Sequence, residues 1–142
     1  MPESIRARVD PARAGAALAR IQRALGQIVD PAREEDKVVI FVEGREELYV
    51  QFAAAMAGDF VYGEAVSNAY LTGPETLSAD QVNRLVADGW ESPDGKDFMN
   101  FHREWEVRDA RDLRLISLET LRALEDVYGV HDLDRLTIDV FD

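Results

Sequence analysis

The chain has no cysteine in its 142 residues, which removes disulfides, thiol nucleophiles and thiolate metal ligands together. Histidine is nearly absent as well, with only His102 and His131. His102-x-Glu104 puts two donors on one strand face, but two donors without a third do not make a metal site. No run of about 18 apolar residues occurs, and the opening "MPESIRARVDPARAG" lacks the apolar stretch of a signal peptide. Membrane insertion and secretion are therefore not expected, and the protein is placed in the cytoplasm. There is no Gly-x-Ser-x-Gly elbow, Walker loop or dinucleotide-type glycine loop. The stretch "DGKDFMN" has neither a glycine at the place a calcium loop requires nor its terminal bidentate acid.

Positive charge is scarce too. Twenty-eight acidic side chains face 16 basic ones, for a net charge of -12, and Lys37 and Lys96 are the only lysines. Such a surface repels nucleic-acid phosphates and anionic lipid, so neither is expected as a partner. What is present is the composition of a folding chain, 46% hydrophobic and 31% charged, at a length that buries a core without staples. One domain over residues 1–142 is expected.

Asp10-Pro11 reads as a helix start, with an acceptor at the cap and a proline whose missing N–H costs nothing at the first helical position. Leu18, Ile21, Leu25 and Ile28 then recur at helical spacing, which predicts a helix over about 11–29, stopped by Asp30-Pro31. "VVIFV", residues 38–42, is a β-branched run suited to a strand buried on both faces. "LYVQFA" alternates, so these two segments read as a hairpin with a loop around "EGREE". A third strand is expected through "FVYGEAVSNAYL", residues 60–71. Its face of Val61, Gly63, Ala65, Ser67 and Ala69 is small enough to admit a helix, another sheet or a peptide backbone at close range.

Ser78 with Gln81 forms a capping box opening a second helix, with Val82, Leu85 and Val86 on its apolar side and Gly89 at its end. Trp90 follows at the position that folds back on the last helical turn. "SPDGKD" is a turn. A strand from about Met99 puts Phe101, Arg103 and Trp105 on one face and His102, Glu104 and Glu106 on the other. A third helix is expected over Asp109–Tyr128, with Leu115 and Leu118 widening its apolar stripe enough to drive a symmetric homodimer. "RLTIDVF" closes the chain as a last strand. The order α-β-β-β-α-β-α-β predicts an α+β two-layer sandwich, a mostly antiparallel sheet packed with helices. Carboxylate pairs such as Glu46-Glu47 are expected in solvated loops, where nothing raises their pKa for acid–base work, and no enzyme is expected.

The combination "EAVSNAYL", "LVADGW", "SPDGKDFMNFHREW" and "LETLRALEDVYGV" resembles the family that groups type III secretion chaperones with YbjN-like proteins. The likeness spans roughly residues 12–141 and is most specific at Gly89-Trp90, Pro93 and Asn100-Phe101. The resemblance implies a small, often dimeric chaperone-like α+β domain that binds extended peptides or client proteins without a cofactor. An extended peptide gains backbone hydrogen bonds along a sheet edge and side-chain contacts in an apolar groove. Tyr70, Trp90, Phe101 and Trp105 are the expected peptide-binding residues, with no catalytic or metal site. The alternatives are a structural or regulatory subunit that assembles through the third helix and, less in keeping with the residues, an uncharacterised enzyme.

Overall fold

A computed structural model describes residues 11–142. Helix α1 spans Pro11–Ile28, and the cap expected at Asp10 lies outside the described residues. Strands β1 (Lys37–Val42), β2 (Arg45–Ala55) and β3 (Phe60–Ala65) follow, then α2 (Ala79–Ala87), β4 (Phe101–Glu106), α3 (Ala110–Arg122) and β5 (Leu136–Phe141). The five strands form one fully antiparallel sheet in the order β4-β3-β2-β1-β5. The order of elements and the α+β class agree with the sequence pattern.

The core forms because alternate strand residues share one face. Val38, Ile40, Val42, Leu48, Val50, Phe52, Val61 and Ala65 are all buried there, beneath α1 and α3. Helix α1 supplies Ala14, Ala17, Leu18, Ile21, Leu25 and Ile28 to that layer and leaves Arg20 and Arg23 exposed. It packs against α3, β1 and β5, and Arg20 reaches across to the carbonyl of Leu136 at 2.9 Å. On α3 the buried hydroxyls of Ser117 and Thr120 donate to the carbonyls of Leu113 and Ile116 at 2.7 and 2.8 Å, which satisfies them inside the apolar layer.

Several local expectations are corrected. Strand β1 is fully buried on one face only, since Val39 and Phe41 on the other remain partly exposed. The β1–β2 turn is tighter than "EGREE", with only Glu43 and Gly44 between the strands, so Glu46 and Glu47 lie on β2 and not in a loop. Strand β3 stops at Ala65 because the chain turns at Ser67, where Tyr70 and Leu71 donate to the Ser67 carbonyl. The small residue at Gly63 is filled by the rings of Trp105 and Phe52 and not by a helix or a peptide. Val86 is exposed, leaving Leu85 as the fully buried residue of α2. Beyond Arg122 the third helix widens into one π turn over Ala123–Val127, with the N–H of Tyr128 donating to the Ala123 carbonyl at 3.1 Å. Leu118 packs against the core, so the surplus apolar surface on α3 is Leu115, not a pair of leucines.

Candidate functional site

The segment between β3 and α2 is held by side chains distant in sequence. The Asn100 carboxamide accepts from the Ser67 N–H at 3.0 Å and donates to the Tyr49 hydroxyl and the Glu64 carboxylate at 2.9 and 3.2 Å. The Ser67 hydroxyl donates to the Met99 carbonyl, and Asn68 bonds both backbone groups of Leu77. These contacts fix a turn that presents Tyr70 to solvent, half exposed at 50%. Burial, partly offset by the Asn100 bond and reinforced by Glu64 and Tyr70, raises the Tyr49 phenol above its ordinary range.

Helix α2 opens on the capping box of Ser78 and Gln81 and closes at Gly89, whose φ of 109° suits glycine alone. The Trp90 N–H then donates to the Leu85 carbonyl at 3.0 Å, placing the indole back under the helix. From Glu91 the chain forms a flap. Glu91 and His102 exchange both backbone hydrogen bonds, at 2.8 and 3.1 Å. Asp94 accepts from the N–H groups of Phe98, Lys96 and Asp97, which holds its carboxyl below the ordinary range. Phe98 stacks on the His102 ring with 3.9 Å between centroids.

Between turn, helix and flap lies an apolar hollow of about 240 Å³, lined by Ser67–Ala69, Val82, Pro93, Gly95, Met99 and Phe101. Met99 and Phe98 are 40% and 38% exposed. With Tyr70 and Val86 they place much of the exposed large apolar surface on the segments bordering this hollow.

The four aromatics singled out from the sequence are divided by the fold. Trp90, Phe101 and Trp105 are core residues, 2%, 2% and 7% exposed, and Tyr70 alone is at the surface. Trp90 meets Trp105 edge to face, with 5.7 Å between centroids. The Arg103 guanidinium lies 4.5 Å from the Trp105 ring centre, and its Nη1 is 3.0 Å from both the Asp88 carbonyl and Glu119 Oε2. The Trp105 indole N–H donates to the same Glu119 oxygen at 2.9 Å. This knot ties the two indoles, the end of α2 and α3 together through Arg103 and Glu119. Phe101 is the one buried aromatic that also lines the hollow. Met99 and Val82 were not legible as site residues, because they meet only in the folded chain, whereas Ser67 and Ala69, expected on a small strand face open to a peptide backbone, line the hollow from a turn beyond β3.

Chemically, the hollow offers apolar contact and few polar groups, an arrangement suited to binding. Among the described residues no group of three or more histidines, aspartates and glutamates is placed to hold a metal ion, and no helix is long and apolar enough to cross a membrane. The family described as T3SS (YopN, CesT) and YbjN peptide-binding chaperone 3 matches residues 13–142. The chain belongs to that family of peptide-binding chaperones. No curated protein and no solved structure matches it.

Proposed function

We propose that the protein is a non-catalytic chaperone or adaptor of the cytoplasm that holds an extended segment of a client protein in the hollow between the Ser67 turn, α2 and the Met99 flap. The observation that carries this reading is an open apolar hollow, bordered by exposed Tyr70, Phe98 and Met99, in a chain of a peptide-binding chaperone family. Exposed apolar surface gathered in one place marks an interaction site more than scattered residues do. In this reading Tyr70 and Met99 touch the client, Phe101 forms the floor, and Trp90 and Trp105 keep the floor in place from the core side. Membership in the family supports a protein or peptide partner without supplying the client's identity.

A symmetric dimer through α3 is a second, weaker reading, because Leu115 alone remains as its apolar contact. The two are separated by position-specific labelling. A photoreactive side chain at position 99 should crosslink to added unfolded polypeptide, and one at position 115 should not. Crosslinks between two copies from position 115, with none to polypeptide from position 99, would reverse the assignment.

A further inference from the structure

We propose that the sheet face turned away from the helices is a second docking surface, for a polypeptide segment that presents one aromatic or branched apolar side chain with a lysine or arginine close by in sequence. In register across the five strands, Phe141, Lys37, Ala53, Tyr62 and Glu104 form one row. Ala53 is the small member of that row. Between the rings of Phe141 and Tyr62 it leaves a hollow of about 220 Å³, floored by the β1 and β2 backbones and by Val39 and Gln51. Phe141 is 40% exposed, so an incoming ring or branched side chain gains contact with two aromatic faces and a flat floor.

The charge around this hollow is one-sided. Lys37 is already held by Asp36 at 3.0 Å. Beyond Tyr62 stand Glu64, Glu91, Glu104 and Glu106, and burial together with Glu64 and Glu91 raises the Tyr62 phenol. Two of these carboxylates have basic neighbours: the His102 ring lies 3.4 Å from Glu91, and the Arg108 guanidinium lies 3.4 Å from Glu106. Arg103, on the same strand, points to the helix side and bonds Glu119. Glu104 enters no ion pair among the described residues. A segment with a cation beside its apolar anchor therefore meets the Glu104 carboxylate about two strand spacings, roughly 10 Å, from the hollow's centre, within reach of an extended chain bearing a long basic side chain. An acidic segment meets repulsion at the same place.

This surface is separate from the hollow beside α2, and either can fail alone. The test is fluorescence anisotropy on the full chain with three labelled peptides: Ala-Lys-Ala-Phe-Ala-Arg-Ala-Gly, the same peptide with both basic residues replaced by glutamate, and the same peptide with phenylalanine replaced by alanine. The first should bind with a Kd on the order of 100 µM and about tenfold or more tighter than either control. Raising NaCl from about 0.05 to about 0.5 M should weaken it severalfold. Ala53→Trp, which fills the hollow, should weaken it about tenfold, Glu104→Lys about threefold, and Met99→Arg in the other hollow less than about twofold, with thermal melts confirming that each variant is folded. No binding at millimolar peptide, equal binding of the acidic control, or sensitivity to Met99→Arg but not to Ala53→Trp and Glu104→Lys would overturn the proposal.

Discussion

A Cβ placed on Gly63 would stand 2.7 Å from the nearest ring carbon of Trp105 and only 3.0 Å from one of Phe52. The backbone at Gly63 is ordinary strand, so the requirement for glycine is one of space and not of conformation. Gly63→Ala should destabilise the protein by about 1–3 kcal/mol, the range for overfilling a packed core. Combining it with Trp105→Phe, which shortens the ring, should cost less than the two single changes summed. Urea unfolding of the three variants measures this, and strict additivity would mean that Gly63 is not held by the indole.

Trp90 is the next test of packing. It is buried, clamped under α2 through its own N–H, and edge-on to Trp105. Trp90→Ala should therefore cost about 3–5 kcal/mol and lower the melting temperature by roughly 10 degrees or more. Client capture should fall with the folded fraction and no faster. A variant as stable as the wild type that no longer captures clients would make Trp90 a contact residue.

The Arg45 guanidinium joins three segments that the sequence keeps far apart. Its Nε and Nη2 each donate to Glu75 at 2.8 Å, while Nη1 and Nη2 donate to the carbonyls of Gly129 and Tyr128 at 3.1 and 2.8 Å. The hydrogen bonds from Arg45 hold the Glu75 carboxyl below its ordinary range. A carboxyl lowered by folding adds stability above its unfolded pKa and loses it as pH falls through the folded value. Glu75→Gln should cost about 1–2 kcal/mol at neutral pH, and its difference from wild type should shrink below about pH 4.5. Arg45→Lys should be similarly destabilising, since an ammonium cannot reproduce the planar fork. A constant wild-type to Glu75→Gln difference from pH 7 to pH 3 would contradict this account.

Much of the fold was legible because the signals were local. The β-branched run at Val38–Val42, the Ser78 and Gln81 box and the Gly89-Trp90 stop each act within a few residues. The end of β3 was not. Size alternation continues past Ala65, and what stops the strand is Asn100 and Met99, more than 30 residues on, binding the backbone and hydroxyl of Ser67. Nor did the sequence mark Met56 and Ala57, which take positive φ of 54° and 57° after β2. The site was half legible for a related reason. Trp90 and Trp105 drew attention through their apolar area, and the same area is what drives them into the core. The hollow's rim is made of smaller residues from three separate segments, and only Tyr70 and Phe101 among the expected residues border it.

That division between core and rim gives the sharpest prediction about function. Met99 and Tyr70 are 40% and 50% exposed, and the hydrogen bond from Ser67 is to the backbone of Met99, which a side-chain change leaves in place. Met99→Arg and Tyr70→Ala should therefore shift stability by no more than about 0.5 kcal/mol, as surface substitutions usually do. Binding should respond differently. A charged guanidinium at the mouth of an apolar hollow must be desolvated when a client segment enters, a cost of a few kcal/mol that the client does not offset. Met99→Arg should weaken capture of a labelled, chemically unfolded apolar polypeptide by about tenfold or more, and Tyr70→Ala, which only removes contact area, by about three- to tenfold. Anisotropy titrations beside urea melts give both quantities on the same samples. Wild-type affinity in Met99→Arg would remove the hollow beside α2 as the client site, whatever Trp90→Ala does, because Met99 reports on the rim without touching the core that Trp90 supports.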